Sequence, residues 1–167
     1  MKHDPEYFLT RIIIIIGVLG IGFFGAKIIA NICYDKWTTE ASNLGDFKDR
    51  YENKINLETD PYELGKIGMS LLKGDHNEIA LKAFAKAAQL DPNWRDGWVW
   101  KSYSELKLNE PKTALESLKK AEKIDPIYPL TYQLLTIAYQ QIDDPQSAKF
   151  TQDKLVYLTK TYPKSIK

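Results

Sequence analysis

Few side chains of this chain have the types and spacing that catalysis requires. The sequence has two histidines, His3 and His76, and one cysteine, Cys33. A catalytic metal needs several such ligands at close spacing, and a nucleophile needs a base beside it. His76 follows Gly74-Asp75, in a segment typical of a solvated turn. The sequence therefore predicts a protein that is not an enzyme, with no catalytic, metal-binding or cofactor-binding residues.

One pattern could bind a phosphate group. Gly20, Gly22 and Gly25 have the spacing of the glycine-rich dinucleotide-binding turn, and Asp46 follows where that fold places a ribose-binding acid. The fold needs further apolar strands, however, and residues 35–40 are polar apart from Trp37 where the next strand would begin. A different element must explain the glycines.

The glycines lie in an apolar run, residues 12–34, whose only charged side chain is Lys27. The run is about as long as the ~20-residue helix that crosses a bilayer core. We predict a single transmembrane helix at 12–34 after a short tail, residues 1–11, and hence a single-pass membrane protein. A signal peptide cleaved near Ala30 is the alternative. Basic residues on the two flanks are nearly balanced, so the side that the rest of the chain faces stays open.

Small residues recur every four positions in the predicted membrane helix, at Gly22, Ala26 and Ala30. Such a face lets two helices approach closely, so it is a candidate for self-association in the membrane. A helix that is merely rich in glycine explains the same residues.

Residues 35–59 form a predicted helical connector. Apolar residues recur there at spacings of three and four, namely Trp37, Ala41, Leu44, Phe47, Tyr51 and Ile55. Three arrangements stay open: a stalk, a short self-pairing coiled coil, and a helix that packs on the domain that follows.

The rest of the chain repeats itself every 34 residues. Ala80 returns as Ala114 and Ala148, and Trp98 returns as Tyr132. A period of 34 with small and aromatic residues at fixed positions is typical of stacked helix-turn-helix units. One helix pair cannot bury its own apolar face, so the sequence predicts an all-α solenoid of about three repeats.

These residues resemble the tetratricopeptide repeat family. The first repeat supplies the packing residues of that family's pattern: Leu64, Ile67, Gly68, Leu71, Ala80, Phe84, Ala87 and Pro92. The repeats span about 61–94, 95–128 and 129–162 in a domain of residues 60–163, with a C-terminal tail at 164–167. The second repeat departs from the pattern at Lys101 and Glu105, so its first helix is expected to be rotated or more exposed.

The resemblance implies a concave groove lined by the first helix of each repeat. The positions that would bind a partner are, in order, Tyr62, Gly65, Met69, Leu72 and Lys73; Asp96, Val99, Tyr103, Leu106 and Lys107; Leu130, Gln133, Ile137, Gln140 and Gln141. The carboxylate clamp of some family members would fall on Gly65, Met69, Trp100, Leu130 and Leu134, which lack the necessary lysines and asparagines. Trp94 and Trp100 either form an exposed binding hot spot or lie against a neighbouring helix.

These features predict a membrane-anchored scaffold or adaptor. It would bind a partner protein or peptide through the groove, in the assembly of a membrane complex. A self-associating structural subunit, and hence a homo-oligomer, is the alternative. The net charge of +1 gives no reason to expect a nucleic acid partner.

Overall fold

The computed structural model describes Asn43 and residues 45–162. The chain divides into two compact units, Met1–Phe47 and Lys48–Lys167. The described residues are helical and contain no strand, which confirms the all-α prediction for this part of the chain. The helices are α1 (45–57), α2 (Pro61–Lys73), α3 (Asn77–Leu90), α4 (Arg95–Lys107), α5 (Pro111–Ile124), α6 (Pro129–Gln141) and α7 (Pro145–Thr161).

Helices α2 to α7 form three antiparallel helix pairs in chain order, and these pairs stack on each other. We call each helix pair a repeat unit, or simply a unit. Each helix packs mainly on its neighbours in the chain, α2 on α3, α4 on α5 and α6 on α7, with α3 on α4 and α5 on α6 between units. The helix starts follow from the sequence, because Pro61, Pro129 and Pro145 stand in the first turn. Asp144 caps α7 by accepting a hydrogen bond from the Ser147 backbone N–H at 3.1 Å, and bonding to Ser147 lowers the pKa of its carboxyl group.

The turn inside each unit has a residue in the left-handed region. Asp75, Asn109 and Asp143 have φ of 60°, 61° and 57°, and they are 34 positions apart in the sequence. Asparagine and aspartate tolerate this conformation better than other residues with a Cβ atom. The 34-residue repeat is therefore visible in the conformation of the turns as well as in the core residues.

Replacing Asn109 tests the role of this turn. Asn109→Ala is expected to lower the free energy of unfolding by about 1 kcal/mol, because alanine disfavours φ near 60°. Asn109→Gly is expected to change it by less than about 0.5 kcal/mol, because glycine adopts this φ freely. Urea unfolding measures both, with the exposed Lys112→Ala as control. Equal losses for the alanine and glycine variants would contradict the assignment.

The core consists of small residues where helices cross and large residues between them. Ala80 and Ala114 are fully buried and Ala148 is nearly so. Phe84 of α3 is also fully buried, and its ring lies flat over Gly68 of α2. A Cβ atom at Gly68 would come within 2.6–2.8 Å of three ring atoms, so only glycine fits beneath this ring.

Within the compact unit Lys48–Lys167, the end of α1 packs on α3. Ile55 is buried. Lys86 donates hydrogen bonds to the carbonyl oxygens of Ile55 and Asn56 at 2.9 and 2.8 Å, and Lys82 pairs with Glu52 at 2.5 Å. This part of the connector therefore packs on the repeats, while residues 35–42 lie outside the described residues.

Helix α4 departs from the repeat pattern at Lys101 and Glu105, yet these two positions face α5 and are not exposed. Glu105 is 3% exposed and forms an ion pair with Lys101. Ser117 of α5 accepts a hydrogen bond from the Lys101 ammonium and donates one to Glu105, both at 2.8 Å. The expectation of a more exposed helix was wrong, because a polar cluster takes the place of the aliphatic and aromatic pair.

Among the described residues, no helix has the length and apolar character needed to cross a bilayer. The predicted span at 12–34, with Gly22, Ala26 and Ala30, lies outside the described residues.

Candidate partner-binding groove

A recess in the described surface lies between the first helices of the first two units, α2 and α4. Its volume is about 510 Å³. Aromatic side chains and one methionine make up half of its lining residues, and the rest include two lysines and one aspartate. The lining residues are Tyr62, Gly65, Lys66, Met69, Ser70, Lys73, Phe84, Trp94, Asp96 and Trp100. A cleft of this size and character suits an apolar side chain of a bound peptide.

The indole of Trp94 forms one wall of this recess and is held in a slot between two glycines. A Cβ atom at Gly65 of α2 would lie 2.4 Å from the ring, and one at Gly97 of α4 would lie 2.9 Å from it. The ring of Tyr62 meets the same indole edge-on, with centroids 5.1 Å apart. Glycine at position 65 therefore makes room for the tryptophan, and the recess is preformed.

A second recess of about 220 Å³ continues the first along α4. The two share Met69, Lys73 and Trp100 in their linings, and the second adds Tyr103 and Lys107. Trp100 and Tyr103 pack edge-on at 5.8 Å between centroids. We call the two recesses together the α2/α4 groove.

The charges around the α2/α4 groove are mixed. Lys66 is engaged by Glu63 at 2.6 Å. Within the part of the chain that the structure describes, Lys73 and Lys107 have no carboxylate within 4 Å, whereas Asp75 and Asp96 also line the groove. The groove can therefore bind an apolar segment that carries polar groups of either sign at its edges.

Arg95, at the start of α4, connects the second and third units. Its guanidinium pairs with Asp96 at 2.7 Å and with Asp125 at 2.6 Å, and it lies 3.6 Å from the ring centroid of Tyr128. Burial raises the pKa of the Tyr128 hydroxyl, and the charge of Asp96 raises it further. This contact fixes the start of α6 in the third unit against the start of α4 in the second.

The predicted groove residues lie in three environments: the α2/α4 groove, the exposed surface of α6, and the hydrophobic core. Tyr62 is 54% exposed, Met69 and Tyr103 are partly exposed, and all three line the α2/α4 groove. Gln133 and Ile137 are exposed on α6, outside both recesses.

Val99 and Leu106, by contrast, lie in the hydrophobic core, with Val99 fully buried. These two side chains cannot contact a partner on the surface of this structure. The reason is that α4 is the central first helix and contacts α2, α3, α5 and α6, so that less of its perimeter faces the groove.

Trp94 and Trp100 line the groove but were not among the residues selected for it. The crowding of Trp94, Trp98 and Trp100 at one helix start was the available signal. The sequence left open whether they are exposed or packed, and the structure shows both, since Trp94 and Trp100 each line the recess while lying against other side chains.

No cluster of three or more histidine, cysteine or carboxylate side chains is placed to hold a metal ion among the described residues.

The sequence profile of the tetratricopeptide repeat matches residues 96–128. This match and the three stacked units define the fold as a tetratricopeptide-type helical repeat, a class that typically forms protein-interaction modules. No curated protein matches the chain significantly.

Solved structures of MamA are similar in fold. One, described as the crystal structure of MamA, is 19% identical with a TM-score of 0.62, over 72% of this chain and 71% of that chain. MamA MSR-1 C2 is 14% identical with a TM-score of 0.61, over 74% and 71% of the two chains. A MamA RS-1 ArsTM double mutant is 22% identical with a TM-score of 0.58, over 75% and 78%.

Proposed function

We propose that this protein is a membrane-anchored scaffold that binds a segment of a partner protein in the α2/α4 groove and holds it near the bilayer. The preformed aromatic recess between α2 and α4 is the observation that carries the proposal. Its walls, Trp94, Trp100 and Tyr62, are the side-chain types that dominate binding energy in protein interfaces. The apolar run at 12–34 supports the anchor. Assembly of a membrane complex is the work that such an arrangement would do.

Partner capture by the full-length chain in detergent tests the groove. Trp100→Ala is expected to weaken binding of the captured protein by about 30-fold or more, because truncating an aromatic hot-spot residue costs about 2 kcal/mol or more. Phe150→Asp is the matched control, since Phe150 is exposed on α7 and lines neither recess of the groove. Titration of the purified partner gives the affinities. Equal affinities for the wild type and Trp100→Ala would refute the groove assignment.

Self-association is the second candidate, and the end of the helical array favours it. Val156 on α7 is 40% exposed, whereas its counterpart two repeat periods earlier, Ala88 in the first unit, is buried. Copies could stack through this end while Gly22, Ala26 and Ala30 pack in the membrane. Light scattering of the chain in detergent should then show a mass that grows with concentration and falls for Val156→Lys.

A further inference from the structure

The outward face of α7 carries aromatic side chains where the other units carry charged or polar ones. Phe150 is 71% exposed and Tyr157 is 57% exposed. They are seven positions apart, so they lie on one face of the helix. One period earlier the same positions are Glu116 and Lys123, both exposed on α5. Aromatic exposure is thus a property of the last unit and not of the repeat.

Lysines outnumber acidic side chains on the two helices that form this surface. Helix α5 carries four lysines and two glutamates, and α7 carries three lysines and one aspartate. Lys119 and Phe150 line the same recess, of about 300 Å³, so the two helices present one surface. None of these lysines has a carboxylate within 4 Å among residues 45–162. We call this surface the α5/α7 face; its positive charge is not neutralised locally by ion pairs.

We propose that the α5/α7 face lies on an anionic lipid bilayer. Phe150 and Tyr157 enter the headgroup region, where aromatic rings are favoured, and the lysines contact the lipid phosphates. The charge argues against a second copy as the occupant, because a two-fold contact would set lysines against lysines. The proposal rests on the proposed function in one respect, since an anchored chain keeps this face within reach of the bilayer.

A dye on α7 tests this contact in the full chain. An environment-sensitive fluorophore is attached at Gln146→Cys, on the same face as Phe150, in a Cys33→Ser background. The chain is reconstituted in vesicles of phosphatidylcholine alone or with one part in about three of phosphatidylglycerol. We expect a blue shift of the emission only in the anionic vesicles, reversed at about 0.5 M salt, where charges are screened over a few ångströms. The same dye at Gln133→Cys on α6 is expected to show no shift.

Charge reversal makes the test specific. Each lysine at an anionic surface strengthens binding to it about fivefold. The double variant Lys119→Glu with Lys123→Glu is therefore expected to reduce binding of the α5/α7 face to the bilayer roughly 30-fold or more and to remove the emission shift. Lys73→Glu with Lys107→Glu, in the α2/α4 groove, is the matched control and should leave the shift unchanged.

Two results would overturn the proposal. One is a shift that is equal in neutral vesicles and unaffected by charge reversal at Lys119 and Lys123. The other is a shift that arises without lipid and grows with protein concentration, which would identify a second copy. Flotation with neutral vesicles tests the membrane anchor separately, and partner capture in detergent tests the groove. Failure of the proposed function is therefore distinguishable from failure of the bilayer contact.

Discussion

Replacing Lys101 by methionine is expected to lower the free energy of unfolding by about 3–5 kcal/mol. The substitution leaves the Glu105 carboxylate buried without its ammonium partner, while the Ser117 hydroxyl still donates a hydrogen bond to it. Glu105→Gln is expected to cost less, because the Lys101 side chain is 21% exposed and its ammonium can turn toward water. Denaturant unfolding of the purified chain measures both variants. Lys107→Met, an exposed lysine on the same helix, is the control and should change the value by less than about 1 kcal/mol.

Removing the whole cluster is expected to reverse this loss. The triple variant Lys101→Met, Glu105→Leu and Ser117→Ala leaves no polar group without a partner. Buried ion pairs replaced by apolar residues of similar volume are often neutral or stabilising by about 1–4 kcal/mol, so the triple variant should be at least as stable as the wild type. A triple variant as unstable as Lys101→Met would show that the cluster itself, and not the abandoned charge, holds α4 to α5.

Truncating Phe84 is expected to cost about 3–5 kcal/mol, because the fully buried ring would leave a cavity between α2 and α3. The contact between Phe84 and Gly68 predicts that the effect of Gly68→Ala on stability changes sign when the ring is removed. Gly68→Ala alone should destabilise the chain by about 1–3 kcal/mol, since its Cβ atom collides with the ring. In the Phe84→Ala background the collision is absent, and the same substitution should stabilise α2 by up to about 1 kcal/mol through helix propensity.

Unfolding curves of the four chains in this double-mutant cycle give the coupling between positions 68 and 84 directly. Gln89→Ala, an exposed truncation on α3, serves as control and should stay within about 0.5 kcal/mol of the wild type. A Gly68→Ala effect of the same sign in both backgrounds would mean that the ring does not set the requirement for glycine.

The repeat period predicted the helical solenoid because its residues are packing residues with a local cause. Ala80, Gly68 and the prolines at the helix starts act within one or two helices, so their types reveal the packing without the fold. The burial of Val99 and Leu106 could not be read in this way. It depends on how many helices surround α4, and the repeat pattern assigns every first helix the same groove positions.

The groove walls and the polar cluster escaped prediction for a related reason. Trp94 stands between helices, and its place is set by the absence of side chains at Gly65 and Gly97, which lie on two different helices. Lys101 and Glu105 break the pattern in a way that suggested exposure, and only the position of Ser117 on α5 explains how both are accommodated. Such three-body contacts have no signature at a fixed spacing.

The mainly sequential packing of the helices also has a consequence for how the domain opens. Because contacts form mostly between chain neighbours, little loop entropy is lost before they form, and folding on the microsecond to millisecond scale is the norm for such topologies. Helix α7 packs chiefly on α6, whereas α4 contacts four other helices. The array therefore frays from its C-terminal end and holds together longest around α4. A partner bound between α2 and α4 would rest on the part of the domain that opens last.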